Sequence, residues 1–302
     1  MVCLVLVLAI TSLSAFLRLS KAGLSCADWP RCYGQNLREQ QQGLVSAAGE
    51  SDATARARLA HRVVASTALL LVCLMVIACF AEPPVLWRQG RIALALLALA
   101  LFLAVLGRWS ANARIPAVAI GNLLGGFAML ALCWRLAHAG ATGGPAGLRL
   151  GAALGLLLLG LQAALGALVS ASHASMACDG LVDCMVAAAR QPWSVLDPWR
   201  EPLLASVPPI NAAGALANTV HQLGGYAVAA VVLPLGLAAL RHGRAGAGMV
   251  LLALLALQLG LGWLLAGPAL SLALALAHNV VAALLLSTAF ELTRGNPATV
   301  TA

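Results

Sequence analysis

The sequence contains little charge. Of its 302 residues, 18 are Lys or Arg and 10 are Asp or Glu, so charged residues amount to only 9%. Soluble domains carry roughly 25%, and this shortage excludes a soluble enzyme, a nucleic-acid-binding module and a disordered protein. Aromatic residues are also scarce, at 5%. No basic stretch is interleaved with stacking aromatics, so we expect no nucleic-acid partner despite the net charge of +8.

Apolar residues dominate instead, at 62% of the chain with a mean hydropathy of +0.93. Eight runs are long enough to cross a bilayer. They lie at 2–19, 59–80, 91–107, 115–137, 149–171, 215–240, 247–267 and 269–292. Their unbroken length favours helices over the alternating ten-residue segments of a barrel. The first run lacks the basic leader of a secretory signal peptide. We therefore predict an all-α integral membrane protein with eight transmembrane helices in a lipid bilayer.

Two long polar segments, 20–58 and 172–214, separate some of these runs and hold eight of the ten acidic residues. Arginines of the short loops predict that both termini are cytoplasmic. Counting the basic residues of the first long segment reverses this bias, and the cysteines decide between the two orientations. The richness in Ala, Leu, Gly and Arg suggests a GC-rich genome, and we expect a bacterial inner membrane.

Each long segment carries two cysteines six residues apart: Cys26 with Cys32, and Cys178 with Cys184. Such a pair is a disulfide, a metal site or a coincidence. Zinc ligands usually lie closer together and have further ligands nearby, which favours disulfides. Since disulfides need an oxidising compartment, we expect both long loops to lie outside the cytoplasm.

The matched cysteine spacing indicates a duplication. Residues 1–140 and 141–302 each read as a span, a long loop with a cysteine pair, and three further spans. His61 then aligns with His221, and Asn122 with His278. We predict two pseudo-symmetric four-helix bundles.

Three of the six histidines fall inside spans, where ionisable residues are costly and mark functional sites. These are His61, His221 and His278, whereas His138, His173 and His242 lie in loops or at span ends and are expected to be solvated. One intramembrane histidine could simply bond a neighbouring helix. Two imidazoles on neighbouring helices can instead ligate a haem iron from both faces, and we favour haem.

Several segments, taken together, resemble the haem A synthase family: "FLRLSKAGLSCADWPRCYG" (16–34), "AHRVVA" (60–65), "LGRWSANARIPAVAIGNLLGG" (106–126), "LQAALGALVSASHASMACDG" (161–180), "HQLGGYAV" (221–228) and "LALAHNVVAALLL" (274–286). The resemblance implies a haem b held by His221 and His278. It also implies a first-half site, with His61 as ligand, where the methyl group of haem O becomes the formyl group of haem A. Cys26 and Cys32 would be a disulfide or a redox pair.

The resemblance further implies work alongside a haem O synthase and cytochrome oxidase assembly factors, and a homo-oligomer is compatible with it. Two positions depart from the family pattern. Asn122 stands where the family has a second first-half histidine, and Arg58 stands where it has a glutamate three residues before the first histidine.

The departures bear on catalysis more than on haem binding. Asn122 is a poor iron ligand, so His61 would hold the first-half haem alone. Arg58, the second candidate catalytic residue beside His61, could pair with a haem propionate, as could Arg18 and Arg62. Two alternatives stay open: a catalytically impaired relative that binds or transfers haem, and a small-solute transporter built on the repeat.

Overall fold

A computed structural model describes residues 1–24, 26, 28–44, 51–81, 83–110, 114–141, 143–267 and 270–295. These residues form helices and loops, without a strand. The helices are α1 Val2–Lys21, α2 Gln35–Gln41, α3 Asp52–Phe80, α4 Trp87–Ser110, α5 Pro116–Ala137, α6 Ala146–Ala171, α7 Gly180–Ala188, α8 Ala215–Arg241, α9 Ala245–Leu265 and α10 Leu272–Leu292. Two 3-10 turns, Trp193–Leu196 and Ala212–Gly214, lie in the second long loop.

Eight of these helices are long and apolar enough to cross a membrane, and they coincide with the eight predicted spans. The prediction of an all-helical, multi-pass membrane protein is confirmed. The third helix begins at Asp52, seven residues earlier than expected, because the Ser51 hydroxyl accepts a hydrogen bond from the Thr54 amide (3.3 Å) and caps its first turn. The short helices α2 and α7 were not anticipated, since α2 is polar and the apolar residues of α7 are too few to cross a bilayer.

The spanning helices pack as two rings of four. In the first half α1, α3, α4 and α5 each contact the next, and α1 contacts α5. In the second half α6, α8, α9 and α10 close a ring in the same way. The rings meet where α5 packs against α6 and α10, and where α1 packs against α10. The symmetry between the halves and their division at residue 140 remain predictions.

Glycines let the second-half helices approach closely. A Cβ atom on Gly248 of α9 would lie 2.9 Å from the backbone oxygen of Gly236 on α8. Without a hydrophobic force between helices in lipid, such close backbone packing is a principal source of association. Large leucines on the outer faces, among them Leu101, Leu157 and Leu257, are exposed, as lipid contact requires.

The two long loops pack against each other at one end of the bundle, called here the loop end. The guanidinium of Arg38 donates to the carbonyl oxygens of Ala205 (3.1 Å) and Ser206 (3.2 Å). Beneath them, Leu19, Ala22, Leu24, Tyr33 and Ile210 form a small buried cluster. Both predicted disulfides, Cys26–Cys32 and Cys178–Cys184, are formed within these loops.

At the opposite end, a buried ionic cluster joins the two halves. Glu291 on α10, 4% exposed, pairs with Arg294 through two bonds of 2.7 and 2.9 Å. Arg135 of α5 and Arg244 of the α8–α9 link each lie 3.8 Å from the same carboxylate. Arg135 also donates to Thr293 Oγ1 (2.7 Å). One carboxylate thus holds together three cations from three segments.

We predict that Glu291→Gln destabilises the protein by about 3 kcal/mol or more, because it leaves three partly desolvated guanidinium groups without their anion. Thermal unfolding in detergent measures the loss. Glu201→Gln is the matched control: its pair with Arg114, at 3.8 Å, is half exposed and is worth at most about 1 kcal/mol. Equal melting temperatures for the two variants would contradict this account of the cluster.

Candidate haem site

His221 on α8 and His278 on α10 meet inside the second ring of helices. Each lies six residues after the first residue of its helix, so both are at the same depth below the loop end. Their ring centres are 6.4 Å apart, with the ring planes inclined at 75°. The structure therefore brings together two of the three histidines singled out from the sequence.

The other two helices of the ring supply glycines beside these imidazoles. A Cβ atom on Gly166 of α6 would lie 2.9 Å from His221 Cε1, and one on Gly262 of α9 would lie 3.4 Å from His278 Cε1. At the first distance an alanine would force the ring to move. The two imidazoles consequently depend on small residues on α6 and α9 for their positions.

Two glutamines, which the sequence analysis missed, complete the surroundings of the histidines. Gln258 Nε2 lies 3.0 Å from His278 Nε2, and Gln162 Nε2 donates to the His221 carbonyl oxygen at 2.7 Å. All four helices of the second half thus place one polar side chain in the interior. A glutamine inside an apolar run could have been recognised in the sequence as a candidate interior residue, because polar groups within a span are rare and usually face the bundle interior.

Four buried polar atoms at this place have no hydrogen-bond partner in the part of the chain that the structure describes: His221 Nδ1, His278 Nδ1, Gln162 Oε1 and Gln258 Oε1. Unmet polar groups are expensive away from water and indicate a missing ligand. Since metal–imidazole bonds are about 2 Å long, two rings on one ion have their centres about 6 Å apart, close to the observed separation.

The donor set favours haem over a bare metal ion. Within the described ranges, no group of three His, Cys, Asp or Glu residues could hold a metal. Two axial imidazoles are sufficient for a haem iron, because the porphyrin supplies the remaining ligands. The residues present therefore fit a haem.

The first-half candidates are less enclosed. His61 on α3 and Asn122 on α5 are both half-buried, and neither side chain makes a hydrogen bond to a described residue. Arg58, one turn before His61, is exposed and lies near enough to Lys21 for their charges to interact. The structure brings Arg58 and His61 to one side of α3, as their spacing requires.

An open groove of about 340 Å³ lies next to His61. Its lining comes from three helices: Ser12, Leu13 and Phe16 of α1, Ala53 and Ala57 of α3, and Leu276 of α10. Ala57 is one helical turn before His61, and Leu276 is two residues before His278. The groove therefore runs along the boundary between the two halves, near His61; since residues two apart in a helix point to nearly opposite sides, it lies on the other side of α10 from His278.

One loop histidine corrects an expectation. His138 and His242 are exposed, as expected, but His173 is only 8% exposed. It follows α6 with a φ of 56°, and its ring contacts that of Tyr33 in the other loop, at 5.4 Å between ring centres. Burial, with a smaller effect of Lys21, lowers the pKa of His173 to about 4. The packing of one loop on the other buries this residue, and no local pattern reveals that.

Comparison with known proteins identifies the family of the chain. A family profile described as cytochrome oxidase assembly protein (COX15-CtaA) matches residues 1–290. The chain belongs to this family. A curated protein of Shewanella oneidensis, named heme A synthase, is 29% identical over 312 residues, covering 94% of this chain and 92% of that protein. The COX15-CtaA match and this relative confirm the resemblance found in the sequence.

The lowered pKa of His173 predicts a pH-dependent stability. In the unfolded chain its pKa is about 6.5, so between pH 6.5 and 4 the unfolded state binds a proton that the folded state rejects. Stability contributed by the neutral ring is present above pH 6.5 and is lost on acidification through that window, by on the order of 2 kcal/mol at pH 5.

His173→Asn removes this titration while keeping a residue that tolerates positive φ. We expect its melting temperature to fall less between pH 7.5 and pH 5 than that of the wild type. His138→Asn, at an exposed position, serves as control. A wild-type pH dependence in His173→Asn would show that the buried imidazole is not its source.

Proposed function

We propose that this protein is a haem A synthase, an oxidoreductase that converts the methyl group of haem O to the formyl group of haem A for cytochrome oxidase. The observation that carries the proposal is the His221–His278 pair, at a separation suited to one iron and with unmet nitrogens. Membership in the COX15-CtaA family and the similarity to the Shewanella protein named heme A synthase support it.

In this proposal the second half binds a haem b, which supplies one-electron redox chemistry when bound. His221 and His278 hold its iron. Gln258 orients the His278 ring through the bond between Gln258 Nε2 and His278 Nε2. This bond would break if His278 Nε2 were the nitrogen that binds the iron. Gln162 ties α6 to α8 through the His221 carbonyl. Burial among four helices keeps water from the site.

The first half would bind the substrate, haem O. His61 is the candidate iron ligand, and the neighbouring apolar groove is suited to a porphyrin edge or its hydrocarbon tail. Asn122 offers an amide in place of a second imidazole. Conversion of a methyl to a formyl group removes four electrons and four protons and adds the oxygen atom of one water molecule, so the reaction also requires an external electron acceptor.

A haem-binding or haem-transferring relative without catalysis is the second candidate. Two observations favour it: Asn122 lacks an imidazole, and Arg58 is an exposed cation where the resemblance implies a carboxylate. A solute transporter is less well supported, because the described spans are continuous helices rather than the broken ones typical of such binding sites.

We further propose that the protein lies in a bacterial inner membrane with cytoplasmic termini and the disulfide-bearing loops outside. The disulfides support this orientation, because they persist in an oxidising compartment. A haem O synthase and cytochrome oxidase assembly factors remain the proposed partners.

Histidine variants separate the two sites. When the protein is expressed without a haem O synthase, so that no substrate occupies the first half, we expect His221→Ala and His278→Ala to abolish its Soret absorption, because each removes one iron ligand of the second-half haem. His61→Ala should retain that absorption but produce no haem A when co-expressed with a haem O synthase. His242→Ala, on an exposed histidine, is the matched control and should behave as wild type.

Pigment extraction distinguishes catalysis from haem binding alone. Haem A above background supports the synthase. Absorption from haem without any haem A would favour the binding relative, and Asn122→His with Arg58→Glu should then restore production. A wild-type protein without a Soret band would contradict both candidates.

Gly166 gives a second test of the His221 site. We expect Gly166→Leu to displace the His221 ring and lower haem content at least several-fold, since even a Cβ atom there would be 2.9 Å from the ring. Gly160→Leu on the same helix meets open space and should bind haem normally. Haem is quantified against protein by absorption, and equal contents in the two variants would refute the placement of the site.

A further inference from the structure

Arg18, near the loop end of α1, reaches out of the first half into the second. Its Nη1 donates to Ser170 Oγ on α6 at 2.8 Å, and its Nη2 donates to Asn279 Oδ1 on α10 at 3.1 Å. The guanidinium thus bridges three helices at the boundary between the rings.

Helical register places this guanidinium next to the histidine pair. Asn279 directly follows His278, and Ser170 is one turn beyond Gly166, the residue beside His221. One turn of helix rises about 5.4 Å. On α6, Ser170 is one turn nearer the loop end than Gly166, and on α10, Asn279 is one residue farther from the loop end than His278, so Arg18 lies at about the depth of the pair, between α6 and α10.

Among the described residues, no anion accompanies the charge of Arg18. Both of its hydrogen-bond acceptors are neutral, and no carboxylate of a described residue forms an ion pair with it. The described carboxylates in ion pairs are Glu201 and Glu291, which belong to other arginines. A partly desolvated cation inside a membrane bundle is costly without a counter-charge, so this position is suited to an anionic ligand group.

We propose that Arg18 binds a propionate carboxylate of the porphyrin held by His221 and His278, which makes the second-half site depend on a residue of the first half. This inference rests on the proposed haem site. A planar guanidinium matches a carboxylate through paired hydrogen bonds. The porphyrin carries its carboxylates along one edge, and the Arg18 guanidinium lies between α6 and α10 at about the depth of the histidine pair, where that edge can be received.

The test compares two haems. The full-length protein, depleted of haem in detergent, is titrated with iron protoporphyrin IX and with its dimethyl ester, which lacks the carboxylate charge. We expect Arg18→Gln to weaken binding of the free acid about tenfold, the usual effect of losing one charge-assisted hydrogen bond, and to leave ester binding unchanged. Arg18→Lys should give an intermediate affinity, because lysine keeps the positive charge but lacks the planar guanidinium that donates two parallel hydrogen bonds to one carboxylate.

Two further measurements separate ligand binding from a structural role. The haem midpoint potential should become more negative in Arg18→Gln, since the nearby cation favours the reduced haem. The melting temperature of the haem-free protein, compared with that of Arg108→Gln at an exposed arginine of α4, measures how far the lost bonds to Ser170 and Asn279 weaken the bundle itself; such a loss affects acid and ester haem equally. Equal effects on acid and ester haem, or no effect on either, would overturn the role of Arg18. Failure of the wild type to bind any haem would instead refute the proposed function.

Discussion

Hydrocarbon offers no hydrogen bonds, so hydroxyl groups within the eight spans, such as those of Thr11 and Ser287, bond a carbonyl of their own helix, and larger polar side chains reach neighbouring helices. This constraint accounts for the main polar contacts of the bundle. Arg18 reaches two helices of the other half, Gln162 and Gln258 attach to the histidine helices, and Glu291 gathers three arginines at the far end. Apolar surfaces account for most of the packing between helices. These few polar contacts add specific links between particular pairs of helices.

The last helix, α10, connects most of these contacts. It packs against α9 and α6 of its own half and against α1 and α5 of the other. His278 and Asn279 lie near its loop end, and Glu291 lies near its other end. The candidate haem site and the ionic cluster therefore share one rigid element. A change in the packing of the two halves would therefore displace the histidine pair. The contact between α1 and α10 also brings a residue of α1 within reach of the second half.

Much of the candidate site was predictable because it consists of residues that are rare in their surroundings. A histidine inside an apolar run is conspicuous, and His221 and His278 could be paired through the repeat. Gln162 and Gln258 carried the same signal but were missed. His173 carried none: its burial follows from the packing of the two long loops, and those loops have no apolar periodicity. Glu291, at a span end, was likewise indistinguishable from a residue facing lipid headgroups.

Hydropathy alone was enough for the number and position of the spans, because a bilayer imposes a length and a composition on every helix that crosses it. Cysteine spacing was enough for the two disulfides, because each closes a short loop within one segment. Distances between helices that are far apart in the chain could not be predicted in this way. That His221 lies beside His278, or Arg18 beside Asn279, depends on how eight separately formed helices pack, and close packing is a property of their complementary surfaces rather than of any local pattern.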